Sequence, residues 1–158
     1  IVFLVALQRM GEVWLANYNT KKLLGQGGIE VGRKHYPLFI LLHGSWLAAI
    51  LFTTQPDTPP NLFLLLLFLI LQLGRVWVIA SLGRFWTTRI ITMPTKPLIK
   101  KGPYRFIRHP NYLIVCGEIA ILPMVFVNWE VAVIWSLAGA ILLGWRIRVE
   151  NEALRERR

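Results

Sequence analysis

Residues 61–83 read NLFLLLLFLILQLGRVWVIASLG, with thirteen uncharged residues from Asn61 to Leu73 and then Arg75 as the single charge before Gly83. Crossing roughly 30 Å of hydrocarbon takes about 20 apolar residues in a helix, so this segment alone assigns the chain to the membrane. Four further apolar runs accompany it, at 1–15, 38–53, 112–127 and 131–145. Each is near or below the lower limit of about 17 residues for a span, so length does not decide them. Charge placement does.

If the five runs cross in alternation, one side receives residues 17–37, residues 84–111 and the tail from Arg146. These segments hold nearly all of the eighteen Lys and Arg. The other side receives the chain start, residues 54–61 and residues 128–130, without a single Lys or Arg. Basic residues stay on the cytoplasmic side of membranes. The expectation is an all-α integral membrane protein of about five transmembrane helices, multi-pass, with its N-terminus outside and its basic segments in the cytoplasm. The net charge of +10 then serves topology and attraction to anionic membrane lipids, and implies no nucleic-acid partner.

The single cysteine, Cys116, lies in an apolar run, which excludes a disulfide framework and a thiolate cluster. His43 has no ligand partner at metal spacing, and no metal site is expected. Arg9 and Glu12 interrupt the first run, which argues against a cleaved signal peptide. Three positions apart, they share one helix face and can neutralise each other. Glu118 is costly in lipid unless paired, and the partners open to it are Arg9, Arg75 or a place in the wall of a substrate tunnel.

Between the apolar runs, residues 17–37 read as a soluble loop broken by Gly25, Gly27, Gly28 and Gly32. His35 and Tyr36 close it at the mouth of the next helix, where they suit either substrate contact or interfacial anchoring. Asn128 and Trp129 leave room only for a tight turn, which predicts a hairpin of the last two helices. The longest polar stretch, 84–111, exceeds an ordinary connection and is therefore a functional candidate. Its FWTTRII segment is β-branched and aromatic, as in a short strand or surface hairpin. The chain reads as one domain over 1–158, with 84–158 as the cofactor-binding part.

Two segments meet on the basic side: KPLIKKGPYRFIRHPNY at 96–112, and WRIRVENEAL at 145–154. The first offers cations, stiffening prolines, aromatic rings and a helix N-terminus, which suit an adenosine and a carboxylate. The second places Arg146 and Glu150 at i and i+4 on one helical face. Arg105 and Arg108 read equally well as interfacial side chains, and Pro110 as a helix start.

GPYRFIRHPNY followed on the last helix by R-x-x-x-E resembles the isoprenylcysteine carboxyl methyltransferase family. The segments EVGRKHY, WTTRII and HPNYL are similar to the bacterial branch that includes alkylpyrone O-methyltransferases. The resemblance implies S-adenosylmethionine as cofactor, bound in a cytoplasmic pocket without a Rossmann domain. It implies cofactor contacts at Arg89, Lys96, Pro97, Leu98, Ile99, Tyr104, His109, Pro110, Asn111, Tyr112 and Glu150. It also implies Arg146 as the substrate arginine, with Arg146 and Glu150 carrying the catalysis. Where many relatives have two adjacent acids, this chain has Glu150-Asn151-Glu152.

Methyl transfer from a sulfonium is an in-line displacement that asks mainly for alignment and exclusion of water. No strong general base stands out, which fits an acceptor that is already anionic: a lipid carboxylate or an acidic hydroxyl such as a pyrone enol. Prenylcysteine, alkylpyrone, alkylresorcinol, phospholipid-amine and other lipids are all open as acceptors. Two other readings stand beside this one. Membrane sterol reductases, which use NADPH, carry a similar R-H-x-N-Y element, and a non-catalytic membrane protein can use a basic face to bind lipids or a partner.

Overall fold

The computed structural model describes residues 1–155. It contains five α-helices: α1 (Val2–Gly25), α2 (Tyr36–Thr53), α3 (Leu62–Leu82), α4 (Pro110–Val125) and α5 (Trp129–Ala153). Two short strands, β1 (Ile29–Val31) and β2 (Ile90–Thr92), form an antiparallel ribbon. Local chemistry sets the helix starts. Pro37 and Pro110 occupy the first turns of α2 and α4, where a missing N–H leaves nothing unpaired. Asn61 and Asn128 cap α3 and α5, their side-chain oxygens accepting from the Leu64 N–H at 3.1 Å and the Val131 N–H at 3.4 Å.

Three segments are long and apolar enough to cross a membrane: Arg33–Thr53, Leu62–Phe85 and Trp129–Ala153. Of the five expected spans, α4 is shorter, its 16 residues rising roughly 24 Å. The 24 residues of α1 include Arg9 and Glu12 and fall outside that apolar set. The outward face of α3 exposes Leu62, Phe63, Leu66, Ile70, Leu73 and Trp77, an apolar surface suited to lipid. α4 packs between α3 and α5 and is buried along most of its length, with Val115, Ile119 and Leu122 in the core beside Trp46 and Ile50 of α2. Gly117 makes the α3–α4 approach possible, since a Cβ there would meet Leu71 Cδ1 at 2.9 Å.

The tight link between α4 and α5 is the hairpin turn expected from Asn128 and Trp129. The Phe126 and Asn128 N–H groups both donate to the Pro123 carbonyl at 3.0 Å. The same turn holds Val127 at φ 59°, a left-handed conformation that β-branched residues rarely adopt.

Two expectations change. Residues 17–25 belong to α1 and not to a soluble loop, because their polar groups find protein partners. Asn19 is buried and donates to the carbonyls of Trp86 at 2.8 Å and Gly83 at 3.3 Å. Only the last two residues of FWTTRII enter a strand, and its partner is remote: Ile29, Glu30 and Val31 pair with Thr92, Ile91 and Ile90. The ribbon, the C-terminal ends of α1, α3 and α5, and residues 84–109 gather at one basic end of the bundle. Residues 54–61 and 126–130, at the other end, have no Lys or Arg. The last three residues of the basic tail, 156–158, lie outside the described residues.

Inside the bundle, the charges that interrupt the apolar runs have found one another. Arg9 pairs with Glu12 at 2.6 Å and with Glu118 at 2.8 Å. Arg75 forks onto both Glu118 oxygens, with its Nε at 2.8 Å, and reaches Glu12 at 3.2 Å. Gln72 donates to Glu118 at 2.7 Å, and Gln8 donates to both Glu12 and Gln72 at 2.9 Å. Glu118 thus meets both arginines that the sequence offered it. Two Arg and two Glu cancel in charge, and their hydrogen bonds tie α1 to α3 and α4, the condition under which buried ions are tolerated.

Candidate active site

A cavity of about 730 Å³ opens near the basic end and runs into the bundle. Its wall takes in residues from α1, α2, the segment after α3, α4 and α5, so it extends well beyond residues 84–158. At its centre stands Tyr112, one turn into α4. The Tyr112 hydroxyl donates to the Glu150 carboxylate and accepts from Arg146 Nε at 2.9 Å. Arg146 and Glu150, one turn apart on α5, are therefore linked through a phenol that holds both at fixed places. Arg146 also donates through Nη2 to the Thr88 carbonyl at 2.7 Å, and its guanidinium lies 5.0 Å from the Phe39 ring centre.

The segment before α4 supplies the other side. His109 stacks on Tyr112 with centroids 5.3 Å apart; its Nε2 donates to Asn151 at 3.2 Å, and its Nδ1 lies 3.7 Å from Glu150. Gly102, at φ 58°, lets the GPYR turn lie on α3, since a Cβ there would fall 2.1 Å from Ser81 Oγ. That turn delivers Tyr104 to the cavity wall, where burial and the Glu150 carboxylate push its phenol up from its ordinary range and keep it protonated. Arg89 pairs with Glu30 of β1 at 3.0 Å and covers the Tyr36 ring at 4.6 Å, and Tyr36 in turn shares a hydrogen bond with Thr88 at 3.0 Å.

Of the residues singled out in the sequence, Tyr36, Arg89, Tyr104, His109, Asn111, Tyr112, Arg146 and Glu150 come together in this wall. Others do not. His35 is buried against Trp145 and Phe39, with ring centroids at 5.2 and 6.1 Å, and packs without lining the cavity. Lys96, Pro97, Leu98 and Ile99 also stand outside it, where the Lys96 N–H is tied to the Met93 carbonyl and its Nζ reaches Gln26. Pro110 is buried at the start of α4 and is absent from the lining.

Sequence reading missed Thr88 and Phe39, which hold Arg146, and Trp86 and His43, which complete the wall. Phe39 was accessible in principle, being three positions after Tyr36 on the same helical face. Thr88 holds Arg146 by its backbone carbonyl, a contact that carries no residue-type signal.

Among the described residues, four buried polar atoms of wall residues lack partners: the donors Arg9 Nε, Trp86 Nε1 and Arg89 Nε, and the acceptor Asn111 Oδ1. Buried polar atoms are rarely left unpaired, so the wall suits a ligand rich in both donors and acceptors. An adenosine with an amino-acid tail is of that kind, and the Glu150 carboxylate adds an anion facing it.

A family model described as the isoprenylcysteine carboxyl methyltransferase family matches residues 64–156. An uncharacterized protein of Bacillus subtilis (strain 168), YpbQ, is 35% identical over 160 residues, covering 99% of this chain and 95% of its own. An uncharacterized protein of Haemophilus influenzae is 25% identical over 141 residues, covering 85% of this chain and 81% of its own. No solved structure matches. With the family model on more than half of the chain and a relative similar along nearly all of it, the chain belongs to the isoprenylcysteine carboxyl methyltransferase family, a membrane methyltransferase acting on a lipophilic substrate.

Proposed function

We propose that this protein transfers a methyl group from S-adenosylmethionine to an anionic oxygen, a carboxylate or acidic hydroxyl, on a lipid acceptor. The observation that carries the reading is the Arg146–Tyr112–Glu150 chain in the wall of a cavity joining a basic end to an apolar bundle. Arg89, Tyr104, His109, Asn111, Tyr112 and Glu150 would hold the cofactor, which when bound supplies an electrophilic methyl on a sulfonium. Arg146 would hold the acceptor. Two of its donors are engaged by Tyr112 and Thr88, and Nη1 is left to face an incoming anion.

Tyr112 sets the distance between these two roles. By bridging Arg146 and Glu150 it fixes donor and acceptor ends relative to each other, the alignment on which a displacement reaction depends. The Tyr112 phenol donates to the Glu150 carboxylate, and the Tyr104 phenol, held protonated, does not act as a base. The apolar wall from α1 and α2 excludes water and gives the lipid tail a path. By the positive-inside argument the basic end faces the cytoplasm, where the cofactor is made.

The test is steady-state methyl transfer by purified protein with label-bearing S-adenosylmethionine and extracted membrane lipid. Arg146→Ala is expected to raise KM for the lipid and Glu150→Ala to raise KM for the cofactor, each by at least about tenfold, the loss of a charge-assisted hydrogen bond. Transfer that survives both changes at the wild-type rate contradicts the assignment.

A further inference from the structure

We propose that the inner end of the cavity is a second polar subsite, in which Nε2 of His43 accepts a hydrogen bond from a hydroxyl of the lipid acceptor other than the methylated oxygen. The inference rests on reading this cavity as the acceptor site, and it adds a requirement on the acceptor's chemistry. The cavity is one continuous space. Its wall passes from Arg146 past Phe39 to His43, Arg9, Glu12 and Arg75.

The tautomer of His43 follows from its partner. Its Nδ1 lies 2.8 Å from the Phe39 carbonyl oxygen, which can only accept, so Nδ1 carries the hydrogen. In the neutral ring Nε2 then presents a lone pair, and among the described residues no partner meets it. Trp46, edge-on to the ring at 6.3 Å, holds its orientation. On a residue that lines the cavity, such a lone pair is open to a donor from a ligand or water, and covering it with apolar atoms is costly.

Distance and charge narrow the ligand. Phe39 lies against the Arg146 guanidinium at 5.0 Å, and His43 is one turn further along α2, a rise of roughly 6 Å. Arg146 and His43 line the same cavity, so a hydroxyl carried on the acceptor's head beside the methylated oxygen is the group placed to meet His43. Arg9 and Arg75 are balanced by Glu12 and Glu118, so the inner end has no net charge to offer an ion. It suits a neutral hydroxyl. A pure hydrocarbon tail seated there would cover the His43 lone pair and the unpartnered Arg9 Nε with nothing to satisfy them.

The experiment measures affinities of a meta-alkylphenol and of the alkylresorcinol with the same chain, which adds one hydroxyl. Both are titrated into full-length, detergent-solubilised protein with S-adenosylhomocysteine present. Wild type should bind the resorcinol roughly five- to tenfold more tightly, as one hydrogen bond of about 1 kcal/mol predicts. His43→Leu should bring the two lipids within about twofold of each other, and His43→Gln, which keeps a side-chain acceptor, should retain the preference. Equal affinities in wild type, binding of neither lipid, or an undiminished preference in His43→Leu would overturn the subsite. A preference that depends on His43 without any methyl transfer would support the subsite while removing the catalytic reading. Methyl transfer with equal affinities would do the reverse.

Discussion

Tyr112 is the residue on which the proposed site turns, because its one hydroxyl serves both Glu150 and Arg146. Tyr112→Phe keeps the ring stacked on His109 and removes only that bridge. The expected result is a fall in kcat of about 10- to 100-fold with little change in thermal stability, read from methyl-transfer kinetics beside a melting curve. Gly102→Ala tests a neighbouring point. Its left-handed backbone and contact with Ser81 predict a loss of at least about 1 kcal/mol and weaker cofactor binding through a displaced Tyr104, measurable by thermal shift and by S-adenosylhomocysteine calorimetry. At this scale the sequence was legible where side chains at fixed spacing converge on the cavity wall: Tyr104, His109, Tyr112, Arg146 and Glu150. It was not legible where contact depends on backbone or on packing. His35 and Tyr36 are adjacent and looked equivalent, yet Tyr36 reaches the cavity while His35 turns into the packing beneath Trp145.

Among the elements, α4 depends on a charged cluster to sit in an apolar bundle. Glu118→Ala leaves Arg75 and Arg9 short of their counter-ion, and unfolding in detergent should show a loss of about 3–5 kcal/mol. The paired change Glu118→Leu with Arg75→Met should recover most of that loss, because it removes the orphaned charge along with its partner. A second element-level prediction concerns the α4–α5 turn. Val127→Gly relieves a β-branched residue at φ 59° and should stabilise the fold by about 1 kcal/mol at most, seen as a small rise in melting temperature. The Arg9–Glu12 pair and the strand in FWTTRII could be read from spacing and composition. The extension of α1 to Gly25 could not, because Asn17, Asn19 and Lys21 look like loop residues until the turn at 83–86 is there to receive Asn19. The partner of β2 was equally hidden, since register across sixty residues leaves no local trace.

For the molecule as a whole, the proposed topology rests on charge asymmetry and the proposed direction of traffic rests on the cavity: polar cofactor from the basic end, lipid from the apolar side. In a Cys116→Ser background, a cysteine placed at Asp57 should react with an impermeant maleimide added to intact cells, and one placed at Arg105 should react only after lysis. The opposite labelling pattern would invert the proposed orientation. Helix count, hairpin and basic face were readable because membranes impose length and charge rules on any sequence. The shared cavity was not, because it is lined by helices α1 and α2 that carry no recognisable motif. The central claim is methyl transfer to a lipid, and lipid mass spectrometry on membranes incubated with purified protein and S-adenosylmethionine addresses it most directly. The expected product is a lipid one methylene heavier that appears only with active protein and is lost in Tyr112→Phe and Glu150→Ala; an unchanged lipid profile, or a product formed only with NADPH, would rule out methyl transfer.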